Sequence, residues 1–173
     1  LNIKNTVTPN SLVTNDENHV TSSSVLHIDF SYYRDWLKST RIKSKFTNCY
    51  SDNKHINNTM RDIFSKIFPH AQENINKIMA NNEAHCHIIS DRDKRNLCTQ
   101  VIEEIHNKTI SEEVELWQLG ATGEIRVIGS IIPHGTIYIF YPLFVDCHHL
   151  IYPSNNGSNN HKDVKNSKKT IYN

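Results

Sequence analysis

Glycine is scarce in this chain, with 5 in 173 residues. None forms a glycine-rich phosphate loop or a nucleophile elbow, and no HExxH occurs. This argues against nucleotide sites built from a flexible backbone cradle, against the hydrolase serine turn and against the zincin helix. Charge of one sign is lacking too. Nineteen Lys and Arg stand against 18 Asp and Glu, a net charge of +1 with histidine neutral. No global field draws nucleic acid in or keeps it out. The 11 histidines add a conditional charge, because mild acid or bound phosphate makes the surface more positive. No apolar run approaches bilayer length. The opening residues, LNIKNTVTPNSLVTNDENHVTSSS, show no apolar core of a signal peptide. The four cysteines, Cys49, Cys86, Cys98 and Cys147, form no CxxC pair. The expectation is a cytoplasmic protein with reduced, buried thiols, no membrane contact and no cofactor.

What is present suits one domain of ordinary size, with 37 % hydrophobic and 21 % charged residues. Residues 1–24 are rich in Asn, Ser and Thr without periodicity and are expected to form a loose arm. Residues 25–153 are expected to form a single α+β domain. Residues 154–173 read as a polar, basic tail carrying Lys162, Lys165, Lys168 and Lys169.

Inside the domain the hydrophobic period changes once. Phe30, Tyr33 and Leu37 follow helical spacing, with Asp29 or Ser31 as a cap. Met60, Ile63, Phe64, Ile67 and Phe68 do so more strongly, and Pro69 is expected to end that helix and begin a short one through Ile75, Ile78 and Met79. Ser90 is placed to cap a helix carrying Leu97, Cys98, Val101, Ile102 and Ile105, with Asn107 as its stop. Beyond Ile110 the period becomes two, through VELWQL, IRVIGSII, IYIFYPLFV and HLIYP, separated by GATGE and PHGT. The predicted architecture is N-terminal helices packed on one face of a three- to four-stranded antiparallel β-meander. Pro142 cannot donate to a ladder, so it predicts a bulge or a lost neighbour.

Three constellations carry possible chemistry, and each has a plain structural alternative. His85 and His87 share a face if extended, and with Cys147 and His149 they form a candidate zinc ligand set. The alternative is surface histidines and core thiols. Cys147 beside His148 has the residue types of a thiol nucleophile and base, but sequence neighbours on a strand point apart. The third is an RNA-directed set. Arg126 would clamp a phosphate, His148 or His149 would move protons, Tyr152 would stack or orient, and His134 would add an RNA contact. Such chemistry needs no metal, since the ribose 2′-hydroxyl is its own nucleophile. The alternative is an Arg126 paired with Glu115 or Glu124 on the surface.

The order of segments, with LWQL, then EIRVIGSII, TIYIFYPLFVD and HLIYP, resembles the RelE/HigB-like superfamily of toxin–antitoxin ribonucleases over residues 114–153. LWQL matches that family's first strand, Arg126 the arginine of the next, and Tyr152 a late aromatic or basic position. The resemblance implies a bacterial, metal-independent endoribonuclease acting on mRNA, free or on the ribosome, and restrained by an antitoxin protein. Arg126, His148, His149 and Tyr152 would be its catalytic residues, and Arg126 and His134 its RNA contacts. The chain departs from that pattern by its length, its near-neutral charge, and histidines where a Lys and Arg cluster is expected. Two other readings stay open. One is a non-enzymatic interaction module of phage or plasmid origin, with Trp36 and Trp117 as anchors. The other is a small zinc-binding protein.

Overall fold

The computed structural model describes residues 24–43, 45–153 and 167–171. The residues of the expected N-terminal arm lie outside this range except for Ser24. Strand β1 (Val25–Ile28) is followed by a two-stranded ribbon, β2 (Arg41–Ile42) and β3 (Phe46–Thr47). Helix α1 (Asn53–Asp62) runs through a π-helical turn (Ile63–Ile67) into α2 (Phe68–Glu73), with α3 (Ile75–Met79) after it. Then come β4 (His87–Ile88), α4 (Arg92–His106), β5 (Trp117–Gly120), β6 (Arg126–His134) and β7 (Ile137–Asp146). The main sheet has five strands in the order β1-β7-β6-β5-β4. All its pairs are antiparallel except β1 with β7, which is parallel.

This corrects the predicted fold. The sheet is mixed rather than a simple meander, and helices cover both of its faces. Alternate residues of β6 point to opposite sides. Val127 and Ile131 join a core with Ile63, Ile67, Phe68 and Ile75. Ile128 joins a second core with Cys98, Val101, Ile102 and Ile105 of α4. The helix expected from Asp29 does not form. Phe30 instead stacks on Trp36 at 5.5 Å, while Tyr33 meets the ring of His106 at 5.1 Å. These residues serve separate contacts, so their helical spacing is coincidental. HLIYP forms no strand either, because its backbone is bent around Asp146.

Pro69 does not break the helix. Its ring would crowd the carbonyl one turn back, and it has no N–H to give. The preceding turn is widened, and Phe68 N–H reaches the Ile63 carbonyl five residues earlier. Such π turns accommodate a local misfit without ending a helix. At α4 the cap is Asp91 rather than Ser90, accepting from Asp93 N at 3.0 Å and Lys94 N at 3.1 Å. Asn107 stops the helix as expected, at φ 51°.

Pro142 marks a bulge. Ile128 pairs with Phe144 while Gly129 pairs with Pro142, which leaves Leu143 as the extra residue. The freed carbonyl of Leu143 receives a hydrogen bond from His106 Nε2 at 2.7 Å. The end of α4 is thereby fastened to the irregularity in the strand beneath it. Gly129 is required at this point, since a Cβ there would collide with the Tyr141 carbonyl and the Phe140 ring.

Part of the expected basic tail also packs. Tyr50 and Lys169 exchange backbone hydrogen bonds at 2.7 and 2.8 Å. Arg41 Nη2 donates to the Ser167 carbonyl at 2.6 Å, and Ile171 joins the first core. Trp36 and Trp117 are each 4 % exposed, so both are core residues rather than surface anchors.

Two outcomes follow from the bulge. Gly129→Ala should destabilise the fold by about 3 kcal/mol, through overpacking against groups with nowhere to move. A lower urea midpoint with an unchanged slope is the expected result. Burial holds the His106 imidazole below its ordinary value, outweighing the Leu143 carbonyl and Asp35, which favour the charged form; Lys108 and Lys38 oppose it. A lowered pKa gives stability that is full above the unfolded value of about 6.5 and fades as pH falls toward the folded value. His106→Gln keeps an N–H donor but cannot titrate. Its stability should therefore fall less than the wild type's between pH 7 and pH 5 in parallel urea titrations.

Candidate functional site

The end of β7 organises the polar residues. Asp146 is fully buried. Its carboxylate accepts the His148 N–H at 3.3 Å and the Ile151 N–H at 2.8 Å, and the Leu150 amide bonds to it as well. Burial raises its pKa from the ordinary carboxyl value, and these amides together with His148 pull the other way. The turn so formed passes through His149 at φ 55°, a left-handed conformation uncommon for a residue with a Cβ.

The turn sends consecutive side chains to different sides of the sheet. Cys147 enters the first core, beside the helical run from α1 to α3. His148 is 4 % exposed, and its Nε2 lies 2.8 Å from the Cys49 carbonyl. Its ring meets His55 of α1 edge to face at 5.3 Å. His149 is half-buried near Arg126, His85 and His87. Its pKa is pushed down to about 4, first by burial and then by the charges of those three groups. Cys147 is held well above the usual thiol range, by burial and by the Asp146 charge.

Arg126 pairs with Gly120 on one side and Asp146 on the other. Its side chain lies over Gly120, where a Cβ would come within 2.7 Å of Cδ. It is 5 % exposed, and Nη1 donates to the carbonyls of Gly123 at 2.6 Å and Ile125 at 2.9 Å. Its pKa is lowered by burial, against the opposing charges of Asp146, Cys86 and Glu124. Glu124 therefore bears on it electrostatically, but among the described residues no carboxylate forms an ion pair with it. Its Nε is buried without a hydrogen-bond partner.

Beside it on the same face is Gln118, 2 % exposed, whose Oε1 is likewise buried and unpartnered. Gln118 Nε2 lies 3.2 Å from His87 Nε2. His87 meets the Tyr152 ring edge-on at 4.8 Å, and Lys94 Nζ sits 4.0 Å above that ring. Tyr152 is thus a wall of this corner with its contacts already occupied.

The expected site residues therefore divide. Arg126, His149, His85 and His87 gather at one rim, with Tyr152 beside them. His148 belongs to the other side. His134 ends the strand that Arg126 begins, which at 3.2–3.4 Å per residue separates the two by roughly 26 Å. The expected zinc set also divides, because Cys147 faces away from His85, His87 and His149. Two participants were not foreseen. Gln118 was hidden in a strand pattern read only for its apolar residues, and His55 lies in a polar helix start with nothing in its neighbourhood to single it out. All four cysteines are buried and unpaired, in line with the expectation from their spacing. Among the described residues no helix is long and apolar enough to cross a membrane.

Comparison with known proteins gives a family. Residues 31–172 match the family described as "Uncharacterised protein UU032". A relative from Ureaplasma parvum, "Uncharacterized protein UU032", is 32 % identical over 166 residues, covering 94 % of this chain and 89 % of that protein. No solved structure matches. The match runs from the turn after β1 to the residues that pair with Tyr50, so four of the five strands of the sheet, its helices and both sides of the Asp146 turn lie within it: this chain belongs to the UU032 family.

Proposed function

We propose that this chain binds a phosphate-bearing ligand at the rim formed by Arg126, Gln118, His87 and His149, with RNA and free nucleotides as the two sources of that group. One observation carries the reading. Two buried polar atoms of opposite kind, the donor Arg126 Nε and the acceptor Gln118 Oε1, stand without partners on adjacent strands of one face. An unmet buried polar atom costs about 1–3 kcal/mol, so such a pair calls for something to satisfy it. With Nη1 committed to the turn carbonyls, the Nε–Nη2 edge of the guanidinium is the side left for an oxyanion, which would reach the covered Nε by displacing its neighbours and then be held by two parallel hydrogen bonds. A phosphate also brings a hydroxyl when protonated, matching the amide oxygen. His85 and His149 have ring nitrogens at this rim, while His87 holds Gln118 in place, its Nδ1 donating to the Ile88 carbonyl and its Nε2 accepting from Gln118 Nε2.

Cleavage of RNA asks for more, namely an acid and a base flanking the phosphate. His148 lies across the sheet with Nε2 on a backbone carbonyl, and Tyr152 is enclosed by His87 and Lys94. Support accordingly goes to binding. Ribonuclease activity, a ribosomal target and an antitoxin partner rest on the sequence pattern alone, and the meander on which that pattern leaned is not the fold found.

The test is a calorimetric titration with inorganic phosphate, a mononucleotide and a short single-stranded RNA, with the RNA examined afterwards for cuts. Arg126→Gln should weaken phosphate binding about tenfold or more, as charge-assisted bonds are worth about 1.5–3 kcal/mol. His87→Gln, which loosens the hold on Gln118, and His149→Asn, which removes a ring N–H from the rim, should each weaken it by about threefold to tenfold, for a net neutral bond of about 1 kcal/mol. Asparagine is chosen because it tolerates the left-handed backbone. Equal affinity in all three variants, or no heat with any of the three ligands, would sink the reading.

A further inference from the structure

Across the sheet end from the phosphate rim, three metal-ligating side chains meet. His55 in the first turn of α1 and Cys147 and His148 in the turn after β7 present ligand atoms that all lie within 4.8 Å of one another. We propose that this chain holds a zinc ion between His55, Cys147 and His148, as a structural centre that pins α1 to the exit of β7.

Five observations support it. His55 comes from a segment far in sequence from the adjacent pair Cys147 and His148, so tertiary packing of α1 on the end of β7 brings it to them. One thiolate with two imidazoles is a donor set suited to zinc, and it supplies three of the four ligands of a tetrahedral centre. His148 also has the outer partner expected of a metal-bound imidazole. Its Nε2 is 2.8 Å from the Cys49 carbonyl, and donation from that nitrogen leaves the Nδ1 lone pair for an ion. Three contacts hold His55, one of them from Ser51 Oγ, 3.3 Å from the ring Nδ1. Its backbone N–H caps onto Asp52 at 2.7 Å, and its ring packs edge to face on Tyr50 at 5.3 Å. Cys147 and His148 are each 4 % exposed, which shields the sulfur and one imidazole from exchange, and a water would complete the four ligands. Uptake of the ion displaces the Cys147 thiol proton to solvent and forms the sulfur–zinc bond. The inference shares no residue with the phosphate site and stands apart from it.

The full chain is loaded with zinc, dialysed and assayed for metal by elemental analysis, and its affinity is measured by competition with a chromophoric chelator. One retained zinc per chain and a higher melting temperature with zinc than without are expected. Cobalt in place of zinc should give a thiolate charge-transfer band in the wild type and none in Cys147→Ser. Because Cys147→Ser alters a core position, His55→Gln is the second variant, at a half-buried helix start where folding should survive. It should lose about a hundredfold or more in zinc affinity, beyond the effect of removing an outer-shell partner, with phosphate titration unchanged. Zinc that washes out of the wild type on dialysis, or equal zinc affinity in wild type and His55→Gln, overturns the proposal.

Discussion

One buried carboxylate sets the geometry of the functional end of this protein. Asp146 ends β7 with no exposure and with backbone amides of the following turn as its partners. A buried carboxylate is costly in an apolar medium unless hydrogen bonds replace the lost water. Here those bonds come from the residues whose path they fix. The turn must close tightly enough for Ile151 N–H to return to the carboxylate, and His149 takes up a left-handed backbone within it. The strain is local and the gain is positional: three consecutive side chains are delivered to two sides of the sheet.

A second irregularity, the bulge at Leu143, works on the body of the sheet in a similar way. A bulge leaves backbone groups outside the ladder, and in a buried strand these need partners. His106 supplies one from the last turn of α4, so the fault in the strand becomes the point at which a helix is attached. Gly129 opposite and Pro142 within the bulge follow from one requirement. The first leaves room for the Phe140 ring, and the second needs no ladder partner for a missing N–H. Loss of periodicity in the apolar run therefore reflects a junction between layers.

Local patterns were legible in the sequence where one force acted alone. Alternation located β5 and β6, a nearly continuous apolar run located β7, and the apolar stripe from Leu97 to Ile105 located α4. Pro142 announced the bulge, and Asn107 the helix end. Legibility failed where a tertiary partner decides. Four residues, Val25–Ile28, form an edge strand only because β7 offers a parallel neighbour, and nothing in VLHI requires that pairing. Phe30, Tyr33 and Leu37 mimic a helix while serving different contacts. Pro69 reads as a stop unless the chain widens the turn before it. At the site, Arg126 was visible as a charge within a strand, but its commitment to the Gly123 and Ile125 carbonyls depends on the shape of a turn. His55 became part of a cluster only when α1 was laid against the end of β7.

The mid-strand arginine also shows why residue type alone misleads about a site. A guanidinium on a strand suggests a clamp open to solvent, yet this one is nearly enclosed and two of its five donors hold its own hairpin. Burial raises the value of whatever meets the remaining edge, since hydrogen bonds are stronger and unmet ones costlier away from water. The same holds for the amide of Gln118 beside it. A group that is both enclosed and incompletely satisfied has less freedom to turn toward solvent than a surface lysine, and so it selects its partner by shape as well as by charge. For that reason the proposed phosphate reading rests on the corner between β5 and β6 rather than on the more exposed histidine at the far end of the strand.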